Sequence, residues 1–570
     1  MTRKFYLSMF LFLLPMLASA VEVDGFYYTL NLSKKTAAVA AGSVKYAGDV
    51  VIPSQFTYNN ATYTVTSIGS SAFLQCEELT SVSIPNTVTS IALSAFRECT
   101  GLTSVVIPES VTTIGKRAFS GCENLVSVNI PDGVKVINDE TFAWCAKLKS
   151  VNIPDGVTSI GERAFIYCTE LLSVNIPDGV TSIGDMAFAM CTGFISVTIP
   201  ESVTSIGQEA FFACDGIASI LIPKSVTSIG TSAFCGCTGL TSIVVESGNP
   251  EYDSRNNCNA IIKTSANELI CGCTATVIPY GVETIGNSAF KSSGISGTLI
   301  LPESVKSIGD EAFIYCEFSS LVFPNSLTQI GEWAFFRNPN LTAVTIPRGV
   351  TSIGMSAFGS CDSLAVMEVE EGNPMYDSRN QCNAIIETAR NRMVSGCRGT
   401  TFPEGLTVIG QLTFNGCDSL TTVTLPNSLT TIEEDAFGGC TNLATVIMGT
   451  GIKYIREQAF GCPNLRDVYC YAERVPTAND YAFLWCAYLD EATLHVPANL
   501  VYRYRDASPW NQFGNIVELT EEETGIVPHL ANVGNDGEEY YLPNGQRVSR
   551  PTKGLNIVKS DGKSMKVLNR

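Results

Sequence analysis

One phrase recurs along this chain at a fixed interval. "VTSIGERAFIYCTELLSVNIP", from Val157, is followed by "VTSIGDMAFAMCTGFISVTIP", from Val180. The phenylalanine of the A-F pair sets the register: Phe73, Phe96, Phe119, Phe142, Phe165, Phe188, Phe211 and Phe234, in steps of 23 residues. After a longer gap come Phe290, Phe313, Phe335 and Phe358, and after another Phe414, Phe437, Phe460 and Phe483. Each gap holds one enlarged unit. A period of this size rules out one closed core. Each unit buries its apolar face only against its neighbours, which is a solenoid.

The physics of one unit is legible. In "SVNIP", Val151 and Ile153 alternate with Ser150 and Asn152, so the segment is a short strand with its β-branched residues inward. Pro154 ends it, and Asp155-Gly156 supplies a turn. "VTSIG" is a second β-branched stretch, closed by Gly161. "ERAFIYC" suits one helical or 3₁₀ turn with Phe165 inward. The fold expected is an elongated, curved, β-rich repeat solenoid of parallel strands with short helical or 3₁₀ turns, followed by a small β module at the C-terminus.

A unit of the form L-x-S-V-x-I-P-x-x-V-T-S-I-G-x-x-A-F-x-x-C resembles the BspA-like leucine-rich repeat of bacterial surface proteins. Leu125, Ser127, Val128, Ile130 and Pro131 match its first half. Val157, Thr158, Ser159, Ile160, Gly161, Ala164, Phe165 and Cys168 match its second. The resemblance implies a leucine-rich-repeat scaffold on an exported protein. It also implies partners such as host extracellular-matrix proteins, epithelial surfaces or other bacteria, and it specifies no ligand.

The ends fit that setting. "MTRKFYLSMFLFLLPMLASA" carries Arg3 and Lys4, an apolar run, and Ala18-Ser19-Ala20 as a small-residue cleavage site. Residues 1–20 are thus expected to be a secretory signal peptide. No later segment is long and apolar enough to span a bilayer as a helix. Residues 21–66 alternate Tyr, Val and Thr and read as an N-terminal β cap over the first rung. The solenoid is expected over 67–519. Its enlarged units lie near 246–275 and 370–399, and its last repeat is a degenerate cap closed by Trp510 and Phe513. Residues 520–570 read as a linker and small β tail, with Asn544-Gly545 and Asp561-Gly562 as hairpin signals. Tyr541-Leu542, Asn544 to Val548, Gly554-Leu555 and Ile557-Val558 resemble type IX sorting modules, although a long aromatic final strand is lacking.

Composition narrows the partners. At 45% hydrophobic and 16% charged residues the chain is too apolar for disorder. Its net charge of −19 argues against nucleic acid, whose phosphates call for clustered Lys and Arg. Of the 21 cysteines, most sit three residues after the repeat Phe, from Cys76 to Cys486, with Ser293 and Asn338 in that slot in two units. A ladder of small buried side chains explains this, with disulfides the alternative in an exported chain. Metal ligation lacks paired C-x-x-C or neighbouring histidines, so neither metal nor cofactor is expected.

No catalytic motif stands out. His495 and His529 are the only histidines, and no G-x-S-x-G or G-x-x-x-x-G-K-[ST] occurs. The acids sit mostly in "IPDG" and "IPES" turns, so the chain is expected not to be an enzyme. Two binding surfaces remain. One is the outward side of the strands, where a serine row (Ser81 to Ser242) runs beside Ser83, Val106, Asn129, Asn152, Asn175, Thr198, Leu221 and Val244. These short, neutral residues either face a large partner or merely tolerate close strand stacking. The other is the pair of enlarged loops, "GNPEYDSRNNCNAIIKT" and "GNPMYDSRNQCNAIIET". There Asp253, Arg255, Asn256 and Asn259, echoed by Asp377, Arg379, Asn380 and Asn383, either face a ligand or brace the loop. The hairpin that follows is expected to stand out from the coil. The function expected is an adhesin-type surface binding protein, with glycan capture or a structural surface layer as alternatives.

Overall fold

The computed structural model describes residues 20–520 and Glu523, together with the backbone of four short tail strands. The expected signal peptide lies almost wholly outside the described residues. The protein is a parallel-strand β-solenoid that divides into two compact bodies. One runs to Ala218 and takes in Pro223–Phe234; the other takes Ser219–Ile222 and continues from Cys235.

In the first body each coil contributes two strands. The S-V-x segments stack in parallel, with Ser127 opposite Ser150, Val128 opposite Val151 and Asn129 opposite Asn152. The T-S-I segments stack as a second ladder, with Ser159 opposite Ser182 and Ile160 opposite Ile183. Every inward position is filled. Val151, Ile153, Val157, Ile160, Ala164, Phe165, Cys168 and Leu171 are all buried. The glycine of V-T-S-I-G marks a close approach: a Cβ on Gly184 would lie 2.7 Å from the Gly161 backbone. Strands between Val21 and Ile68 head both ladders. Gly48–Val51 pairs with Leu79–Ser83, and Ala61–Ile68 pairs with Ser90–Ile91.

The A-F segment forms turns but no helix. Around Phe119, the N–H groups of Ala118, Ser120 and Cys122 each donate to the carbonyl three residues back, at 3.2 Å. The residues between them turn their N–H groups out of the coil. Arg117, Phe119 and Gly121 donate to Asp139, Thr141 and Ala143 of the next coil, at 3.0, 2.9 and 2.8 Å. The corner is therefore a third inter-coil ladder of period two. To aim its donors this way, the residues two before and two after the Phe adopt positive φ in every coil from Phe73 to Phe437. Arg117, Trp144 and Tyr167 do so at 58°, 59° and 59°. Left-handed backbone costs an ordinary residue about 1–2 kcal/mol. The inter-coil bonds offset that cost.

Inside the corner the phenylalanines form a face-to-face stack. Phe165 lies 5.4 Å from Phe142 and 5.3 Å from Phe188, with the rings within 13° of parallel. Beside them run the cysteines. Most of these thiols donate to the carbonyl of the preceding coil's phenylalanine: Cys122 to Phe96 at 3.1 Å, Cys168 to Phe142 at 3.2 Å, Cys440 to Phe414 at 3.1 Å. Asn338 does the same with its amide, at 2.9 Å from the Phe313 oxygen. A third coil also departs from the spacing. Pro463 follows Phe460 by three, and Cys462 takes over by reaching Phe437 O at 3.2 Å.

All 21 cysteines are free, and all but Cys486 are buried. Burial pushes Cys122 and Cys191 up to about 12. The Cys99 thiol pulls Cys76, at the head of the ladder, below its ordinary value, but that side chain is also buried. Thiolate is the reactive form. The native chain at pH 8 is thus expected to react with a thiol-specific dye at no more than one or two sites until it unfolds. Rapid labelling of many thiols in native buffer would contradict the packed ladder.

In the second body the enlarged units start new sheets. Tyr252–Asp253, Ala260–Lys263 and Glu268–Gly272 pair antiparallel in sequence, and Glu268–Gly272 then pairs parallel with Thr284–Ile285 of the following coil. The same arrangement recurs from Tyr376–Asp377 to Val408–Ile409. The hairpin does not stand out from the coil. Ala260, Ile261, Ile262 and Leu269 are fully buried, so the hairpin supplies core side chains where a regular coil would. Gly272 and Gly396 make room for the rings of Phe290 and Phe414, which lie 2.1 and 2.2 Å from where a Cβ would be.

The last coils end on a short helix, Val501–Asp506, and on Trp510, which is fully buried. Trp510 meets Phe483 edge-on at 5.4 Å and donates its indole N–H to Pro476 O at 3.0 Å. In the tail, Gly554–Ser560 and Lys563–Asn569 pair antiparallel with Ser560 opposite Lys563. Both hairpin-signal dipeptides lie outside the described residues.

Candidate functional site

The strand geometry fixes which side chains face out. Side chains alternate along a strand, so burying Val128, Val151 and Val174 exposes the residues on either side. In the first body Ser83, Val106, Asn129, Asn152, Asn175 and Thr198 are all exposed, Val106 by 72%. In the second body Leu221 and Val244 stand opposite each other and are exposed by 56% and 45%. The serine row beside them is exposed or half-buried. Neither row carries a formal charge.

The three asparagines are not equivalent. The strand at Ser104–Val106 pairs with Ser127–Asn129 at only two positions, which leaves the Ile107 backbone groups without a strand partner. The Asn129 amide takes that place. Its Nδ2 donates to Ile107 O at 2.7 Å, and its Oδ1 accepts from Ile107 N at 2.9 Å. Asn129 thus completes a ladder, whereas the amides of Asn152 and Asn175 face solvent.

The same register position in later coils carries residues that the sequence reading passed over. Ile300 stands opposite Val322, exposed by 65% and 48%. Further on, Ile447, Tyr469, His495 and Val517 follow in register. The repeat serine that marks this position is replaced before most of them, by Thr298, Thr445, Asp467, Thr493 and Asn515, which hides it in the sequence. His495 stacks on Tyr469 at 4.2 Å, with Asp467 Oδ1 3.7 Å from Nε2 and Glu523 Oε1 3.4 Å from Nδ1. His529 lies outside the described residues. Among the described residues no cluster of three or more His, Cys, Asp or Glu is placed to hold a metal ion.

The enlarged loops bring Asp253 and Arg255 together. Arg255 Nε and Nη2 donate to the two carboxylate oxygens at 2.8 and 2.6 Å, and the Arg255 backbone N–H adds a third bond at 3.0 Å. Thr264 donates to the same carboxylate at 3.2 Å, and Arg255 Nη1 reaches Asn267 at 3.2 Å. Asp377, Arg379, Thr388 and Asn391 repeat this set. Asn256 and Asn380 take positive φ in the turn, and Asn259 and Asn383 donate to Ala275 O and Gly399 O. These groups spend their hydrogen bonds on one another, which is how a loop is braced.

Partial burial works to raise the Asp253 and Asp377 carboxyls. The arginine and its backbone N–H outweigh it, and both lie below their ordinary value. A carboxyl lowered by folding contributes stability above its unfolded value, about 3.9, and loses it as pH falls through the folded value. The thermal midpoint of the second body is therefore expected to drop below about pH 4. Asp253→Asn with Asp377→Asn is expected to lower the midpoint at pH 7 and flatten the acid limb. An unaltered profile in that double variant would show that the brackets bear no load.

Among the described residues no helix is long and apolar enough to cross a membrane. A sequence model described as a BspA type leucine rich repeat region, in six copies, matches residues 66–193, 158–266, 260–374 and 395–504. No curated protein matches the chain. Among solved structures, the chain is similar to a leucine rich cell surface protein of Faecalibacterium prausnitzii, at 29% identity over 75% of this chain and 94% of that one, with a TM-score of 0.47. It is also similar to a leucine-rich repeat protein of Bacteroides ovatus, at 24% identity over 88% and 100% of the two chains, with a TM-score of 0.35. A third is the pneumococcal vaccine antigen PcpA, at 15% identity over 88% and 99%, with a TM-score of 0.40.

Proposed function

Since the chain belongs to the family of BspA-type leucine-rich repeat proteins, we propose that it is an exported surface protein of the adhesin type. Its partners in this reading are proteins of a host matrix, an epithelial surface or another bacterium. Residues 1–20 are removed as a leader, 21–66 cap the solenoid, and 520–570 serve as a linker and sorting or anchoring tail. No catalytic step is assigned to it.

One observation carries this reading. The outward row from Ser83 to Thr198 is exposed, in register and free of formal charge, in a chain whose net charge is −19. Protein interfaces are depleted of charge at their centres and need a broad surface. The row offers both on a rigid sheet, where little side-chain entropy is lost on contact. The test is binding of the chain, without its leader, to a panel of immobilised extracellular-matrix proteins and bacterial surfaces at physiological salt. Saturable binding to at least one is expected. Self-assembly with no heterologous binding would replace this reading with a surface-layer role.

A further inference from the structure

We propose that a hollow at the turn corner of the first body, walled by Trp144, binds a pyranose ring of a neutral saccharide. This goes beyond the protein-binding face, since it uses different side chains from the strand rows.

The corner bears two ridges, made by the positive-φ residues two before and two after each repeat phenylalanine, with a furrow between them. Across four consecutive coils of the first body the furrow is filled. Ala143, Ile166 and Ala189 pack there, with Met186 and Phe212 against them. One coil before Ala143 the filling stops. Ser120 takes the furrow position and Gly121 the ridge position, and a hollow of about 450 Å³ opens. Gly121 sits between Glu98 and Trp144 in the ladder. Its N–H donates to Ala143 O at 2.8 Å, and a Cβ on it would lie 3.1 Å from Glu98 Cγ. The missing side chain leaves a slot one rung thick against the indole.

Trp144 is prepared as a platform. Tyr167 backs it in parallel, at 6.1 Å and 11°, so one face is covered and the other is left to the slot. Both rings stay exposed, by 42% and 38%, on residues held at positive φ. Glycine or asparagine would hold that backbone more cheaply, so these aromatics are not there for the turn.

The polar walls are paired among themselves. Arg117 clasps Glu140 with two bonds, at 2.9 and 2.7 Å, and keeps further N–H groups unspent. Glu98 is held by Arg97 at 2.6 Å and by Gln75 at 2.8 Å. Alternating donors and acceptors beside an apolar ring match a sugar, whose hydroxyls do both and whose C–H face is apolar. Three carboxylates against two guanidinium groups disfavour an anion, and the charged rim disfavours an apolar peptide.

The test is calorimetry and saturation-transfer NMR on the chain without its leader. The probes are methyl glycosides of glucose, galactose, mannose and N-acetylglucosamine, with malto- and chitotriose. At least one neutral probe is expected to bind, with Trp144→Ala weakening it tenfold or more. Gly121→Asn, which tolerates the φ of +76° and fills the slot, is expected to do the same while the thermal midpoint holds. Absence of binding to every probe at about 10 mM would overturn the proposal. So would binding that both variants retain, or a preference for sialylated or sulfated sugars. None of these outcomes depends on whether a matrix protein is captured.

Discussion

Phe165→Ala is expected to destabilise the first body by about 3–5 kcal/mol, read as a lower urea midpoint. The ring is fully buried and stacks on Phe142 and Phe188 at once. Its removal deletes the apolar contact, breaks two stacks and leaves a void. In many cores neighbouring elements slide in and recover part of that loss. Here they are held apart by backbone bonds. The Phe165 N–H donates to Ala187 O at 2.8 Å, and Arg163 and Tyr167 donate alongside it at 2.8 and 2.9 Å. Coils in register cannot close on the void without giving up the corner ladder. In a solenoid each coil also depends on its two neighbours. The variant is therefore expected to broaden the transition by uncoupling the coils before residue 165 from those after it. A loss below about 1 kcal/mol would mean that the strand ladders alone hold the coils together.

Asn152→Lys with Asn175→Lys is expected to lower affinity for a captured matrix protein by a hundredfold or more. A partner lying on the strand row would have to bury two ammonium groups with no carboxylate nearby on that row, and unpaired buried charge is costly. The folded state is expected to be unaffected, because both amides face solvent. Asn129 is left out of the test for a structural reason. Its amide stands in for strand pairing at Ile107, so a lysine there confounds binding with stability. The two lysines lie on adjacent rungs and repel each other mildly, a cost that screening at physiological salt keeps small. Unchanged affinity in the double variant, with the fold intact, would move the contact to Ile300 and Val322 or to another face.

The sequence carried much of this in its periodicity. Alternation in "SVNIP" gave the strands, and the recurrent Phe and Cys gave a core ladder, because both signals depend on a side chain's own preference for burial. Three features escaped because they depend on the neighbouring coil. The corner at "RAFIY" satisfies the local pattern of a 3₁₀ turn, yet Arg163 and Tyr167 adopt positive φ because their N–H groups bond the next coil. Asn129 repeats the exposed asparagine of Asn152 and Asn175, yet its amide bonds the Ile107 backbone of the preceding coil, where strand pairing has ended at Val105. Trp144 occupies a position of variable composition, and what opens a hollow beside it is a glycine 23 residues away. The reading of "NAIIKT" as a protruding hairpin failed for a simpler reason. Three consecutive apolar residues, Ala260, Ile261 and Ile262, belong to a strand covered on both sides.

The two enlarged units have a bearing on how such a chain changes length. Each braces itself with its own Asp-Arg clasp, begins a sheet, and passes a parallel edge to an ordinary coil. A stretch that opens with one of them and runs through the coils behind it carries the instructions for starting a ladder as well as continuing one. Copying that stretch in the gene adds a segment whose front supports itself and whose back offers the next coil the edge it expects. Single coils also add or drop out without disturbing register, because the interfaces between regular coils share most of their backbone donors and acceptors. Inheritance can thus extend or trim the molecule by whole rungs or whole segments, while point changes at the outward positions retune what it touches.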